Sequence, residues 1–226
     1  MSLGGDGTFL KTASMVKTRT LPIFGINTDP SRSVGHLTSH KIPYEYRNKE
    51  IPQLMDYIQR ENFKYIYKQR IMLEKKDSET NKSIKKTYAL NEVFVSERNV
   101  GASSIYRLKA DGQYIGKFKS SGLLMCTGTG STGWLQSAKR TTDGDVLAGL
   151  DHLGFSREGE AVVHGIALDL SKRTAFDLSR PELFYYVREP QISGDYERHA
   201  QGFAKNLEFV SELYDGMVSV DGLLSV

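Results

Sequence analysis

The spacing of apolar residues changes near Asn62, and this change constrains the fold more than any other feature of the chain. Before it, segments 8–17 and 51–60 repeat apolar residues at helical intervals. The apolar run 21–26 between them has the length of a buried strand. Helical and strand patterns that follow one another in this way predict an α/β lobe in residues 1–62.

Beyond Asn62 the pattern is that of antiparallel strands. Segment 63–73 alternates apolar and polar residues, as a half-exposed strand does. Asp111-Gly112 lies between two strand-like runs and is a strong signal for a hairpin. Further strand patterns occur at 90–95, 105–110, 123–126, 183–187, 207–210 and 217–220, and short helical patterns at 132–139 and 145–152. We therefore predict an α+β fold in which residues 63–226 form a mostly antiparallel β domain.

Charge is spread along the chain rather than concentrated. The 226 residues carry a formal net charge of +3, and two lysine clusters flank the polar stretch 77–83, which we predict to be a solvated loop. This distribution does not indicate a nucleic-acid-binding face. No apolar run approaches the roughly 20 residues that a membrane-spanning helix needs, so no membrane span is expected. The single cysteine, Cys126, excludes an intrachain disulfide and fits a reducing compartment.

A glycine-rich loop, Gly4-Gly5-Asp6-Gly7-Thr8, precedes the first helical pattern. Glycines allow a phosphate close to the backbone, and the N–H groups at a helix start attract anions. A carboxylate repels phosphate, so Asp6 is better suited to accept a proton from an attacking hydroxyl or to act through Mg²⁺. The alternative is a tight turn with Asp6 as the helix N-cap.

Such a loop normally follows a β-strand, and the three residues before it are too few to form one. We therefore expect the chain to be a piece of a longer protein.

Asn91-Glu92 places two polar side chains inside the apolar run 90–95. Neighbouring strand residues point to opposite faces, so at least one of the two should face inward or into a cleft. Buried amide and carboxylate groups need partners, which the hydroxyl groups of a sugar would supply. The alternative is a polar pair at a strand end.

Segment 127–134 interleaves hydroxyl side chains with glycines and follows the apolar run 123–126. Gly128, Gly130 and Gly133 satisfy the dinucleotide-binding pattern G-x-G-x-x-G. That interpretation requires a βαβ unit, whereas the preceding segments indicate a hairpin. No Gly-Lys-Ser/Thr follows, so the segment is not a P-loop.

Histidines His36 and His40 have no second pair of ligands, so we predict no protein-held metal site.

Four motifs, taken in order, resemble those of the NAD kinase family. They are the Gly4–Thr8 loop, Asn91-Glu92, the stretch 127–131 and the run 218–222, Val-Ser-Val-Asp-Gly. The resemblance covers essentially the whole chain. Within the family it looks closest to the mitochondrial branch. The segments that resemble this branch are 25–30 with 35–37, 89–94, 119–123, 126–131 with Trp134, and 187–190.

The resemblance implies an enzyme that moves the terminal phosphoryl group of ATP to the 2′-hydroxyl of the adenosine ribose of NAD. Asp6 would be the general base or would orient that hydroxyl. Asn91 and Glu92 would hold hydroxyls of the nicotinamide-side ribose, while His36 and Leu37 would pack against the adenine. The phosphate loop would comprise Gly4, Gly5, Gly7 and Thr8, and the implied NAD site comprises Gly5, Gly7, His36, Leu37, Asn91, Glu92, Thr129, Thr132, Gly133, Trp134 and Ser137.

The resemblance also implies architecture and partners. Residues 1–62 would be the remnant of a Rossmann-like ATP-binding lobe, and residues 63–226 a β-sandwich that binds NAD. Mg²⁺ would accompany the ATP phosphates, and the protein would be a mitochondrial homodimer.

The sequence departs from the family at two positions and in extent. Gly128 stands where the family usually has proline, and Ser121 where an acidic residue is common; both changes resemble the mitochondrial branch. The family also has a segment before the glycine loop, so one alternative is a fragment that binds NAD without turnover. A second is a diacylglycerol or sphingosine kinase, which shares the loop but lacks the later Thr-Gly-Thr-Gly-Ser.

Overall fold

A computed structural model describes residues 1–38, 40–60, 63–77, 79–155, 159–191 and 199–225. The described residues form an α+β fold, as predicted: a small parallel sheet with two helices, followed by antiparallel sheets. The predicted boundary at Asn62 lies outside the described residues, so the division at 62/63 stays a prediction.

The N-terminal part is an α/β unit. Its elements are β1 (Ser2–Leu3), α1 (Asp6–Met15), β2 (Gly25–Asn27), β3 (His40–Lys41), a 3₁₀ turn (Tyr44–Tyr46) and α2 (Arg47–Gln59). The strands form a parallel sheet in the order β1-β2-β3. Helix α1 buries Phe9, Leu10 and Ala13, the residues whose helical spacing predicted it.

The prediction that no strand could precede the glycine loop is wrong. Ser2–Leu3 pair in parallel with Gly25–Ile26, and the Ser2 N–H donates to the Phe24 carbonyl at 2.8 Å. Two residues suffice because β2 supplies the partner. The strand predicted at 21–26 is found as Gly25–Asn27, and Phe24 before it contributes only its carbonyl to the contact with Ser2.

The described residues of the C-terminal part form antiparallel strands and three helices. Its elements are β4 (Ile71–Lys76), β5 (Ser83–Ala89), β6 (Glu92–Glu97), β7 (Ser104–Ala110), β8 (Gln113–Ser120), β9 (Gly122–Cys126), a 3₁₀ turn (Gly130–Thr132), α3 (Trp134–Ala138), α4 (Asp143–His152), α5 (Glu160–Lys172), β10 (Leu183–Arg188), β11 (Gln201–Ala204), β12 (Leu207–Ser211), β13 (Gly216–Val220) and β14 (Leu223–Ser225). No described helix has the length and apolar character to cross a lipid bilayer.

Two antiparallel sheets enclose the main core. One has six strands in the order β11-β10-β9-β6-β13-β14, and the other has three in the order β12-β7-β8. Side chains from both meet between them, among them Leu123 of β9 and Tyr106 and Leu108 of β7, each fully buried. The opposite face of the six-stranded sheet packs against α3, where Leu124, Cys126 and Leu135 are buried.

The predicted hairpin at Asp111-Gly112 is confirmed. Strands β7 and β8 pair up to Ala110 and Gln113. Both turn residues have positive φ, 49° for Asp111 and 84° for Gly112, which a two-residue hairpin loop of this kind requires.

The strand predicted over 63–73 begins only at Ile71. Ile71 pairs with Ala89, and extension of the ladder would pair residue 70 with Leu90. The Leu90 N–H instead donates to the carboxylate of Asp221. Segment 63–70 consequently has no ladder, and Tyr65, Ile66 and Tyr67 are exposed. The predicted loop 77–83 is found as the β4–β5 connection, although Ser83 belongs to β5 and Ser78 lies outside the described residues.

Leu123→Ala should lower the free energy of unfolding by about 2–5 kcal/mol, because the leucine is fully buried between the two sheets and its loss leaves a cavity. Leu153→Ala is the matched control, since Leu153 is 68% exposed and should lose less than about 1 kcal/mol. Urea denaturation followed by circular dichroism measures both. Equal losses for the two variants would contradict this position of the core.

Candidate functional site

The glycine loop leads into the N-terminus of α1. Gly4 has φ 140°, and a Cβ there would lie 2.6 Å from the Thr8 hydroxyl oxygen. Gly5 is the N-cap, and the first intrahelical bond runs from the Phe9 N–H to the Gly5 carbonyl at 3.1 Å. The N–H groups of residues 6–8 precede that bond, so they are available to an anion.

The carboxylate of Asp6 holds a second loop against the first. Oδ2 accepts the N–H of His36 at 3.0 Å, and Oδ1 accepts the N–H of Leu37 at 2.9 Å. The alternative that Asp6 is the helix N-cap is therefore wrong, because Gly5 occupies that position and no side chain caps it. Gly35 enters the loop with φ 66°, and a Cβ there would lie 2.5 Å from the Asn27 side chain. The predicted residues Asp6, His36 and Leu37 thus lie together.

A buried carboxylate organises the Asn91-Glu92 segment from 130 residues away. Asp221 accepts the N–H groups of Leu90 at 2.8 Å, Asn91 at 2.7 Å and Glu92 at 3.1 Å. It is 6% exposed, and with Gly222 it forms the β13–β14 turn at φ 50°. Sequence reasoning gave Asp221 no individual role. The available signal was an Asp-Gly pair directly after an apolar run, which indicates a turn but not its partner.

Glu92 lies next to this negative charge and is largely removed from water. Burial, together with the charge of Asp221, raises the pKa of the Glu92 carboxyl to about 7. A carboxyl with that pKa changes its protonation state near neutral pH.

Two polar side-chain atoms, one on the Asn91-Glu92 segment and one on the turn after β9, are buried without a hydrogen-bond partner in the described part of the chain. They are Oδ1 of Asn91 and the hydroxyl oxygen of Thr129. Thr129 is 6% exposed. Buried polar atoms are nearly always paired, so these two atoms, on segments that pack against each other, indicate a site for an external donor or acceptor.

The turn after β9 closes directly on the Asn91 backbone. The Thr127 hydroxyl donates to the Leu90 carbonyl at 2.6 Å, and the Thr127 N–H donates to the Asn91 carbonyl at 2.9 Å. A Cβ on Gly130 would lie 2.2 Å from the Asn91 carbonyl oxygen, and one on Gly128 would lie 2.2 Å from the Asp177 carbonyl oxygen. Both positions therefore require glycine for close backbone packing.

The dinucleotide-binding interpretation of Gly128, Gly130 and Gly133 is wrong. Strand β9 is antiparallel to both β6 and β10, so the glycines do not begin the crossover of a βαβ unit.

Trp134 opens α3 and packs on the sheet. Its ring lies 4.7 Å from that of Phe94, and the Arg188 guanidinium carbon lies 5.7 Å above it. Thr132, Gly133 and Ser137 are exposed around the start of the helix. The helix predicted at 132–139 is found as a 3₁₀ turn followed by α3.

The two halves of the site are joined through the apolar contacts of α1. Leu90, whose N–H Asp221 holds, packs in one cluster with Phe9, Leu10 and Ala13, and Leu37 lies against that cluster. A separate open cavity of about 530 Å³ between β3 and α2 includes His40 and Lys41 but none of the predicted site residues. No group of three His, Cys, Asp or Glu side chains able to hold a metal occurs among the described residues.

Asp221→Asn should lower the free energy of unfolding by about 2–4 kcal/mol, because the amide replaces one carboxylate oxygen by a donor facing backbone donors. Asp111→Asn is the control. Asp111 also precedes glycine at positive φ and accepts two backbone N–H groups, but it is exposed. Its loss should stay below about 1 kcal/mol. Equal losses in chemical denaturation would show that the turn, not the buried carboxylate, carries the effect.

No protein-family model matches the chain. Over 98% of its length it is 28% identical to "NAD kinase 2, mitochondrial" of Rattus norvegicus, of which it covers 61%, and 28% identical to the Homo sapiens protein of that name, of which it covers 58%. It is 31% identical to an "NAD kinase" of Neisseria gonorrhoeae (strain NCCP11945) over 60% of this chain and 42% of that protein. The chain thus spans about three fifths of the length of the mitochondrial relatives.

Two solved structures share the fold. Yeast NADH kinase complexed with NADH matches with a TM-score of 0.65 at 17% identity, over 99% of this chain and 53% of that one. An NAD kinase from Archaeoglobus fulgidus in complex with ATP matches with a TM-score of 0.59 at 21% identity, over 99% of this chain and 68% of that one. The resemblance to the NAD kinase family that the four motifs predicted is thereby confirmed over nearly the whole chain.

Proposed function

We propose that the protein containing this chain is an NAD kinase, which transfers the terminal phosphoryl group of ATP to the 2′-hydroxyl of the adenosine ribose of NAD and so forms NADP. One observation carries the proposal. Among the described residues, Asn91 and Thr129, on two segments that pack together, have buried polar atoms without partners, and the pKa of the adjoining Glu92 carboxyl is raised to about 7 by burial and by Asp221. A ligand rich in hydroxyl groups would satisfy all three.

The NAD side of the site would be the segment around Asn91 and Glu92 and the turn 127–133. Asn91 and Glu92 would hold hydroxyls of the nicotinamide-side ribose, and Thr129 would bind through its free hydroxyl. Thr132, Gly133, Trp134 and Ser137 would line the site, because they lie exposed or half-buried at the start of α3. The two structural neighbours, one in complex with NADH and the other with ATP, support these ligand classes.

Asp6 would act at the acceptor hydroxyl. Each of its oxygens accepts one backbone N–H, from His36 or Leu37, and each has a further lone pair for a hydroxyl donor. The same bonds would hold His36 and Leu37 ready to pack against the adenine. Gly4, Gly5, Gly7 and Thr8 would receive the phosphates at the N-terminus of α1.

Mg²⁺ would arrive with ATP. Bound to the phosphates, it would neutralise the charge that develops during transfer. The residues fit a metal that is held by the phosphates rather than by the protein. Both oxygens of Asp6 already accept backbone N–H groups, and the loop offers further N–H donors for phosphate. Alignment of the two substrates would supply most of the rate.

We also propose that the protein is a mitochondrial homodimer. The mitochondrial relatives support the location by their names, and the family resemblance supports the dimer.

Asp6→Asn should lower NADP formation from Mg-ATP and NAD by at least about 10²-fold, because the amide cannot take the hydroxyl proton. NADP is measured with an NADP-specific dehydrogenase, and NAD binding by calorimetry. Asp56→Asn, on the exposed face of α2 in an ion pair with Arg60, is the control and should retain activity.

Asp6→Asn turnover within threefold of wild type would remove Asp6 from the mechanism. Wild-type chain that binds NAD without turnover would favour a non-catalytic NAD-binding fragment. Phosphorylation of diacylglycerol or sphingosine, assayed in parallel, would favour a lipid kinase.

NAD affinity should rise by about tenfold between pH 6 and pH 8, because the pKa of the Glu92 carboxyl is raised to about 7 and the ionised form accepts hydrogen bonds from hydroxyl groups best. Glu92→Gln should make the affinity independent of pH over this range. Glu208→Gln, on β12 and 62% exposed, should follow the wild type. Calorimetric titration at each pH measures the dissociation constants, and an unchanged pH profile in Glu92→Gln would contradict the role.

The ligand-free protein offers an independent check on the same carboxyl. Because the folded pKa of Glu92 lies above its ordinary value of 4.5, the folded state binds the proton more tightly than the unfolded state. The stability that this tighter proton binding gives the folded state is complete below pH 4.5 and is lost as the pH rises to about 7. Glu92→Gln should therefore gain stability relative to wild type between pH 4.5 and pH 8, as measured by thermal denaturation. A difference independent of pH would contradict the raised pKa.

A further inference from the structure

Arg70 reaches α1 from the segment that leads into β4. Nη1 donates to the Val16 carbonyl at 2.7 Å, and Nη2 donates to the Ala13 carbonyl at 3.2 Å. Helix α1 ends at Met15 with Val16 as its C-cap, so both carbonyls lie at its C-terminus. The Ala13 carbonyl also accepts the Val16 N–H at 3.1 Å, and the Val16 carbonyl lies beyond the helix.

The guanidinium also completes the charge pattern of α1. The helix has Asp6 in its first turn but no basic residue in its last turn. A positive charge near the C-terminus of a helix stabilises it by opposing the helix dipole. Arg70 supplies that charge from 54 positions away in the sequence.

The other contacts of Arg70 lie on the β domain. Its guanidinium carbon is 5.3 Å from the ring of Tyr88 in β5. Burial lowers the pKa of the Arg70 guanidinium, and the negative charge of Asp221 opposes that shift, which places Arg70 within the electrostatic reach of Asp221. Arg70 therefore interacts with the helix that carries Asp6 and with the carboxylate that holds Asn91 and Glu92.

We propose that Arg70 is a positioning residue, which fixes α1 and the glycine loop relative to Asn91 and Glu92. This role depends on the phosphoryl transfer proposed above. In the described part of the chain, α1 also meets this segment in the apolar cluster of Leu90 with Phe9 and Leu10, which holds the parts together but sets direction weakly. The two hydrogen bonds of Arg70 set the direction of the helix and so the place of Asp6.

A 10-residue helix transmits a small tilt at its C-terminus to the loop at its N-terminus. Misplacement by about 1 Å can lower a transfer rate by about 10²-fold.

Steady-state kinetics of Arg70→Gln and Arg70→Lys tests this role, with Arg98→Gln as the matched control, since Arg98 forms an exposed ion pair with Asp215. Arg70→Gln should lower kcat by at least about tenfold while KM for NAD changes less than threefold, because the hydrogen bonds by which Asp221 holds Asn91 and Glu92 do not involve Arg70. Arg70→Lys should be intermediate, since an ammonium keeps the charge but not the fork that spans two carbonyls. Wild-type kcat in folded Arg70→Gln would overturn the role, as would an equal loss in Arg98→Gln.

A second readout does not need turnover. The dissociation constant of NAD is measured with and without a non-hydrolysable ATP analogue and Mg²⁺, and the ratio gives the coupling between the two sites. If Arg70 aligns them, the ratio departs from 1 in wild type and moves towards 1 in Arg70→Gln, with Arg98→Gln unchanged. A ratio of 1 in wild type, or an equal ratio in Arg70→Gln, would overturn the role.

The two readouts separate this role from the proposed activity. If the coupling depends on Arg70 but the chain makes no NADP, the kinase activity is refuted and the positioning role of Arg70 stands. If NADP forms at the same rate with and without Arg70, the kinase activity stands and the positioning role is refuted.

Discussion

The candidate site depends on one buried carboxylate at the point where the chain passes from one sheet to another. Strand β5 ends at Ala89 in a two-stranded sheet, and β6 begins at Glu92 in the six-stranded sheet. The backbone groups between these strands belong to the hydrogen-bond ladder of neither sheet, yet buried backbone groups need partners. Asp221 accepts hydrogen bonds from the N–H groups of residues 90–92, and Thr127 donates hydrogen bonds to the carbonyls of Leu90 and Asn91.

This arrangement fixes the backbone completely and leaves side chains unsatisfied. Asn91 and Thr129 each have a buried polar atom without a partner in the described part of the chain, and Glu92 is held near a like charge. Each of these features lowers stability, because burial removes the water that would otherwise bind the group. A rigid backbone with unpaired polar side chains is the arrangement expected of a ligand site, since the ligand completes the hydrogen bonds.

Local patterns predicted the parts of the fold that local physics controls. The Asp111-Gly112 hairpin followed from the backbone angles its turn requires, and α1 from the spacing of Phe9, Leu10 and Ala13. Helix α5 was missed. Its apolar residues do not form one stripe, and Val162, Leu168 and Leu170 are exposed while Val163 and Ala167 are buried. Strand β1 was missed because a two-residue strand has no pattern of its own and forms only beside β2.

The sequence by itself determined the chemistry of the site and its order along the chain: a glycine loop with a carboxylate, an Asn-Glu pair, a run of hydroxyls with glycines, and a final Asp-Gly. Only the tertiary structure decided which of these meet. Asp6 binds the loop at 36–37, Asp221 binds residues 90–92, and Arg70 binds the end of α1. Sequence patterns record the spacing of residues within one helix, strand or turn. A hydrogen bond between residues 30, 54 or 130 positions apart is set instead by how all the elements pack.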